Sequence, residues 1–240
     1  MTATNEWAAN HECEVLVIGS GAGGATTAAI LAEAGHDVLI IEEGPWVDQG
    51  EVVPFSLEQM DRQYRSGGVT VALGVPSIAY TEGRCAGGGT EVNSGLYRRP
   101  PEQAIARWQS EYAIDDFDAD GLLSICEEVE AELTVQTVPG EHTRASEILR
   151  DGAAALGWQH DESPRWMSYP EGGRAVDGKR QSMTRTYLPR AFAAGARMLT
   201  EHRLDRIVMS GGSATSAELS TTATGIDQPT TITFKSVFVC

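Results

Sequence analysis

Apolar residues near the start of the chain fall into two short runs separated by an alanine-rich segment. The first run, residues 15–18 (VLVI), enters a glycine-rich turn, and the second, residues 38–41 (VLII), is followed directly by Glu42. Both runs have the length and β-branched content of buried strands, and the segment between them has the length of a helix. The order of strand, glycine turn, helix, strand and acidic residue predicts the βαβ unit of a dinucleotide-binding domain.

The glycines of the turn, GSGAGG at residues 19–24, each have a predicted physical role. Gly19 permits the tight turn off the strand, Gly21 lets the backbone approach a pyrophosphate, and Gly24 lets the helix lie close to the strand. Backbone N–H groups at the helix start then face the phosphate charge. Glu42, 23 residues after Gly19, is placed to accept hydrogen bonds from ribose hydroxyls. A purely structural turn is the alternative, and the flanking strands and the acid favour dinucleotide binding.

The rest of the chain predicts a helical segment followed by a return to β-structure. Helical spacing predicts helices over residues 102–112, 122–133 and 145–156, and Pro189 suits the first turn of a helix that continues to Leu199. β-structure is predicted from Leu204, and residues 236–240 are expected to form most of a buried strand. Because the chain stops in this apolar strand, we expect it to be truncated at its C-terminus. The predicted class is α/β, a Rossmann-like nucleotide domain with an inserted, mainly helical segment.

Composition narrows the classes of partner. The 240 residues carry 34 acidic and 18 basic side chains, and the net charge of −16 disfavours nucleic acid and anionic membrane surfaces. No secretory leader or membrane span is predicted. The four cysteines are scattered without a CxxC pair, which is typical of reduced thiols, so a cytoplasmic location is expected.

One segment fits a calcium-loop template. Asp116, Asp118, Asp120 and Gly121, followed by Glu127, match the spacing D-x-D-x-D-G-x5-E. Such loops usually occur in pairs, and the sequence contains no second copy. Acidic residues at this place also suit the start of the helix predicted over residues 122–133, so helix capping is favoured and no metal site is predicted.

A second glycine cluster makes the chain resemble a known family. GRCAGGGTEVNSG (residues 83–95) follows GSGAGG and IIEEG (residues 40–44), and TFKSVFVC closes the chain. In this order the four segments resemble the N-terminal half of the glucose-methanol-choline (GMC) flavoprotein oxidoreductases. The resemblance implies that residues 1–100 and 203–240 form an incomplete FAD-binding domain and that residues 101–202 cover the flavin.

The resemblance also implies which residues hold FAD. It places the first cluster at the pyrophosphate, Glu42 at the adenosine ribose, and Leu204 at the adenine through its backbone. The cofactor residues implied in this way are Gly19, Gly21, Ala22, Gly23, Gly24, Glu42, Arg84, Gly87, Gly88, Thr90, Asn93, Ser94, Gly95 and Leu204. Arg84 as a surface cation and Asn93 as a turn residue are the alternatives left open, and Cys85 is interpreted as a packing residue.

The implied reaction is oxidation of an alcohol CH–OH group by hydride transfer to flavin N5. The family's catalytic His belongs to its C-terminal half, so no catalytic residue is assigned here, and the missing half is the expected partner. The five histidines, His11, His36, His142, His160 and His202, are interpreted as surface or helix-end residues. Val92 stands where covalently flavinylated members carry His, so non-covalent FAD is expected. A ketosteroid dehydrogenase-like flavoprotein and a non-catalytic nucleotide-binding fragment are the alternatives.

Overall fold

The computed structural model describes residues 10–114, 118–223 and 229–240. The helices are α1 (Ala22–Glu33), α2 (Leu57–Gln63), α3 (Glu102–Tyr112), α4 (Ala119–Glu132), α5 (Arg144–Ala155) and α6 (Tyr187–Ala193). The strands are β1 (Asn10–Ile18), β2 (Val38–Ile41), β3 (Thr70–Ala72), β4 (Ile78–Tyr80), β5 (Val135–Gln136), β6 (Arg165–Ser168), β7 (Lys179–Arg180), β8 (Arg197–Leu199), β9 (His202–Ser210), β10 (Ser213–Thr221) and β11 (Thr230–Val239).

The chain divides into two compact units. The first contains the residues up to Asn93 together with Ser182–Cys240, and the second contains Ser94–Gln181. Helix α6 and strand β8, which the sequence assigned to the inserted segment, belong to the first unit.

The first unit is built on a six-stranded sheet of order β8-β2-β1-β11-β10-β9. Strands β8, β2, β1 and β11 run parallel to one another, and β10 pairs antiparallel with both β11 and β9. A buried apolar cluster lies on this sheet and includes Leu16, Leu39, Leu219 and Ile232. This is the Rossmann-like arrangement that the strand, helix and strand pattern predicted, and it brings the carboxyl ends of β1 and β2 to the same edge.

Helix α1 packs closely on the sheet because its buried side is made of small residues. Ala25, Ala28, Ala29 and Ala32 are all buried, at the spacing of one helical face. The helix ends at Glu33, and the chain turns away at Gly35, whose φ of 91° is accessible to glycine at no steric cost. An alanine face lets the helix axis approach the strands, so the turn that enters it must also be compact.

Two parts of the sheet differ from the sequence-based expectation. The helix predicted to continue to Leu199 ends at Ala193, because the chain turns at Gly195 (φ 98°) and pairs as β8 with β2. A polar stretch rich in Gly, Ser and Thr after residue 210 interrupts the β-structure predicted from Leu204, yet it forms β10. Ala217 and Leu219 are the only buried residues of β10, and Ala214 is partly buried against the core, so its apolar signal is weak and its pairing with β9 and β11 decides its conformation.

The expectation that residues 236–240 form a buried strand is wrong for Phe238 and Val239. Phe238 is 42% exposed and Val239 is 65% exposed, although both pair with β1. The paired residues of β10 and β11 end at Thr233. Residues beyond that point therefore have a neighbouring strand on the β1 side but not on the β10 side.

The second unit combines α3, α4 and α5 with a small antiparallel sheet of order β5-β6-β7. The carboxylate of Asp118 accepts a hydrogen bond from Gly121 N–H at 2.6 Å, so the predicted capping of α4 is confirmed. Asp116, the first residue of the calcium-loop template, lies outside the described residues. Within the described ranges, no group of three or more His, Cys, Asp or Glu side chains could hold a metal ion.

Among the residues that the structure describes, no helix has both the length and the apolar character needed to cross a bilayer.

Candidate functional site

A cleft of about 320 Å³ lies at the carboxyl ends of β1 and β2. Ligands of open α/β sheets bind in this position, where the loops after neighbouring strands separate. Its walls come from the glycine turn, the end of β2, the segments around Arg65 and Gly83, the start of β9, and Cys240. The predicted site residues that line the cleft are Gly19, Gly21, Glu42, Gly88 and Leu204.

The glycine turn has the geometry that its sequence predicted. Gly19 has φ of 93°, and a Cβ there would lie 2.7 Å from the carbonyl oxygen of Cys240. A Cβ on Gly24 would lie 1.9 Å from the carbonyl oxygen of Gly19, so only glycine permits this approach of α1 to β1. A Cβ on Gly21 would meet nothing within 4 Å. The space beside Gly21 therefore belongs to the cleft and not to the protein core.

The start of α1 is suited to an anion. Gly21 is the N-cap residue, no side chain caps the helix, and its first turn contains no acidic residue. The first N–H groups of a helix have no partner within the helix, and the helix dipole adds positive potential at this end. Together with the open space at Gly21, this arrangement fits the pyrophosphate of a dinucleotide.

Glu42 is held in place by the first glycine turn. One carboxylate oxygen accepts from Ser20 N–H at 3.1 Å and from Ser20 Oγ–H at 2.6 Å, and the other accepts from Gly44 N–H at 2.8 Å. Ser20 Oγ in turn accepts from Gly87 N–H at 3.1 Å. Ser20 is fully buried and Glu42 is 7% exposed. The Ser20 hydroxyl thus joins the acid after β2 to both glycine clusters.

The second glycine cluster is fixed by its own side chains. Thr90 Oγ1 donates to the Gly87 carbonyl at 2.7 Å and accepts from Met183 N–H at 3.1 Å. Glu91 accepts from Thr184 Oγ1–H at 2.7 Å. The buried Thr90 side chain is therefore used to anchor the loop that carries Gly87.

We expect Ser20→Ala to lower the free energy of unfolding by about 2 kcal/mol, because Gly87 N–H loses its acceptor in a buried position. Urea denaturation of the two proteins measures the difference. Ser182→Ala is the matched control, since Ser182 is as deeply buried and its hydroxyl makes a longer contact, 3.3 Å, with Thr184 Oγ1. Equal losses in the two variants would contradict the linking role of Ser20.

Charged side chains form a network on one wall of the cleft. Arg65 binds both carboxylate oxygens of Glu43, at 3.0 and 2.8 Å, and its Nε donates to Glu82 at 2.9 Å. Arg84 Nε donates to Glu43 at 3.2 Å. Hydrogen bonds from Arg65 hold the pKa of Glu43 below its usual value, with burial acting in the opposite direction. Arg84, which the family resemblance implies as an FAD-binding residue, thus binds a carboxylate in this structure.

Several predicted residues lie outside the lining of the cleft. In the first unit these are Ala22, Gly23, Gly24, Arg84, Gly87, Thr90 and Asn93. Ser94 and Gly95 belong to the second unit, where Ser94 O accepts from Arg165 and Gly95 (φ 71°) approaches Met167.

The cleft also contains residues that the sequence did not single out. They are Ser20, Glu43, Arg65, Glu82, Gly83, His202 and Arg203. Ser20 and Glu43 adjoin motif residues, and His202 and Arg203 precede Leu204, so their neighbours were the available signal. Arg65 and Glu82 belong to no motif. His202, interpreted as a surface or helix-end residue, is partly exposed, begins β9 and lines the cleft.

Cys85 is a packing residue, as expected. Its side chain is fully buried, and burial raises the pKa of its thiol well above the ordinary range. A thiol in that state is a poor nucleophile, because the thiolate is the reactive form.

Comparisons with known proteins identify the family and the fold of this chain. A family model described as GMC oxidoreductase matches residues 60–240, and one described as an NAD(P)-binding Rossmann-like domain matches residues 17–47. An uncharacterized GMC-type oxidoreductase of Sinorhizobium fredii is 38% identical over 208 residues, which cover 85% of this chain and 41% of that protein. A long-chain-alcohol oxidase of Arabidopsis thaliana is 28% identical over 203 residues, covering 82% of this chain and 27% of the oxidase.

The fold is also found in solved structures. The crystal structure of pyridoxine 4-oxidase from Mesorbium loti superposes with a TM-score of 0.71 at 16% identity, covering 95% of this chain and 49% of that one. The chain therefore spans less than half the length of these relatives.

The matches confirm the predicted nucleotide-binding fold and FAD as the cofactor class. The individual cofactor residues and the non-covalent attachment stay predictions. The GMC match covers most of the chain and includes the second glycine cluster. This protein therefore belongs to the GMC oxidoreductase family.

Proposed function

We propose that this chain supplies the binding site for the adenosine diphosphate part of FAD in an oxidoreductase acting on the CH–OH group of an alcohol. The observation that carries the proposal is the open space beside Gly21, at the uncapped start of α1. This space is continuous with the cleft lined by Glu42 and Leu204. An anionic pyrophosphate that joins two less polar groups suits such a cleft. When FAD is bound, its flavin is the hydride acceptor.

Three groups of residues would hold the cofactor. Backbone N–H groups at the start of α1 would bind the pyrophosphate, with the backbone of Gly88 alongside. Glu42 already accepts three hydrogen bonds, and a carboxylate has about four lone-pair sites, so it retains capacity for a ribose hydroxyl. The start of β9 at Leu204 would lie beside the adenine. The fixed position of Glu42 would orient the ribose without a cost in side-chain entropy.

The substrate proposal rests on the named relatives. The chain is similar to proteins called long-chain-alcohol oxidases and to one called 2-methyl-1,2-propanediol dehydrogenase. We infer an alcohol as the donor and assign no catalytic base to this chain. The family resemblance places the catalytic His in the half of the family that this chain does not match, so the 240-residue chain is expected to bind FAD without oxidising alcohols.

The test is a titration of the purified chain with FAD, FMN and ADP, followed by flavin fluorescence. If the cleft binds the adenosine diphosphate part, FAD binds at least about tenfold more tightly than FMN, which lacks the adenosine and one of the two phosphates, and ADP competes with FAD. Acid precipitation of the complex should release all the flavin. A folded chain that binds FMN as tightly as FAD, or binds neither, would contradict the proposal, and flavin retained after precipitation would contradict non-covalent attachment.

A further inference from the structure

Arg65 makes the most contacts in the charged network on the cleft wall, which consists of Arg65, Arg84, Glu43 and Glu82. Its guanidinium uses all three nitrogens, two toward Glu43 and one toward Glu82. Its backbone is fixed as well, because Arg65 N–H donates to the Glu82 carbonyl at 2.9 Å and Arg84 N–H donates to the Gln63 carbonyl at 2.8 Å. The side chain is therefore held where it stands by both backbone and side-chain contacts.

The two carboxylates that Arg65 binds are part of the cleft. Glu43 and Glu82 line the same 320 Å³ space as Gly19 and Gly21. A pyrophosphate at the glycine turn would bring negative charge into a space lined by three carboxylates, Glu42, Glu43 and Glu82. Charges a few ångströms apart in a partly buried site repel strongly, since solvent screens them less than on an open surface. Pairing of Glu43 and Glu82 with a cation therefore favours the binding of an anion here.

Arg65 provides this pairing better than Arg84 does. Arg84 makes one hydrogen bond to Glu43, at 3.2 Å, and does not line the cleft. Arg65 makes the paired contact to Glu43, which is the stronger geometry for a guanidinium and a carboxylate, and it alone also binds Glu82 in this network.

We propose that Arg65 is a positioning residue that makes the cleft receptive to the pyrophosphate of FAD by neutralising Glu43 and Glu82. This inference rests on the proposed function, because it assumes that a pyrophosphate enters the cleft. Arg65 acts through the two carboxylates, so its charge matters more than its shape. Removing Glu43 should therefore compensate for the loss of Arg65.

The test compares FAD dissociation constants of the 240-residue chain and four variants. Arg65→Met is expected to raise the constant about tenfold, and adding Glu43→Gln to it should return the constant to within about threefold of the wild type. Arg65→Lys keeps the charge but loses the paired hydrogen bonds to Glu43, so a rise of about threefold, smaller than that of Arg65→Met, is expected. Arg190→Met is the matched control, because Arg190 binds both oxygens of Glu33 at similar exposure outside the cleft.

Salt adds a readout that a loss of stability would not change. In Arg65→Met, salt screens the repulsion between the pyrophosphate and the unpaired carboxylates. Added NaCl should therefore reduce the difference between the FAD dissociation constants of this variant and the wild type. If the wild type binds FAD and Arg65→Met binds it equally well, the inference is overturned. The same holds if the double variant is no better than Arg65→Met, or if Arg65→Lys is as weak. If Arg65→Met fails to fold, the FAD dissociation constant of Arg65→Lys tests the inference instead. A rise of about tenfold in that variant would overturn it. Failure of the wild type to bind FAD would instead refute the proposed function.

Discussion

Replacing Gly21 by valine is expected to abolish FAD binding while leaving the fold intact. A Cβ at this position would meet no protein atom within 4 Å, and the backbone, with φ of −64°, is one that valine adopts without strain. The new side chain would instead fill the space beside the N–H groups of α1. A pyrophosphate excluded from those donors loses its charge-assisted hydrogen bonds, so affinity should fall at least about 100-fold, or about 2.7 kcal/mol.

Two side chains of different size at position 21 should lower FAD affinity by different amounts. Gly21→Ala should show a smaller loss than Gly21→Val, because alanine intrudes less into the same space. Gly152→Val is the control, since Gly152 lies in α5 of the second unit and a Cβ there also meets nothing within 4 Å. FAD titration measures binding, and thermal denaturation checks that each variant is folded. Valine at an N-cap costs stability by up to about 1 kcal/mol relative to glycine. Full FAD affinity in Gly21→Val would place the pyrophosphate elsewhere.

Replacing Gly24 by alanine is expected to have the opposite effect, with the fold lost before cofactor binding can be measured. The Cβ would lie 1.9 Å from the Gly19 carbonyl oxygen and 2.8 Å from its carbonyl carbon. Relief requires α1 to move away from β1, which would open the contacts of its buried alanine face. Overpacking of this kind costs about 3 kcal/mol or more, a large share of the stability of a typical domain.

The adjacent glycine is the control for this experiment. A Cβ on Gly23 would lie 3.7 Å from Cys240 Cβ, an ordinary van der Waals distance. Gly23→Ala should therefore fold normally and gain slightly from alanine's higher helix propensity. Circular dichroism and urea denaturation of the two variants separate them. A Gly24→Ala protein as stable as Gly23→Ala would mean that α1 lies farther from β1 than the structure has it.

Local sequence was sufficient for the features that depend on neighbours along the chain. The βαβ unit followed from the spacing of apolar runs and glycines, and the geometry at Gly19 and Gly24 agrees with the role predicted for each. The cap on α4 at Asp118 also follows from local sequence. The close approach at Gly24 and the cap at Asp118 join atoms a few residues apart, and the two strands of the βαβ unit are consecutive along the chain. The pattern of residue types therefore carries the information.

Features that depend on distant pairing were not predictable. Strand β10 has two inward apolar residues and takes its conformation from β9 and β11, and β8 was mistaken for the end of a helix. The same is true of function. Arg65 belongs to no motif and enters the cleft because backbone pairing sets it beside Glu82.

The sequence by itself determined the class of fold, the family, and the turn where a phosphate is expected. The tertiary structure alone decided that the Ser20 hydroxyl joins Glu42 to Gly87, and that Arg65 neutralises the carboxylates beside the glycine turn. The physical reason is that glycine spacing reports backbone geometry within one segment. Hydrogen bonds and ion pairs between segments form only after the sheet has brought those segments together.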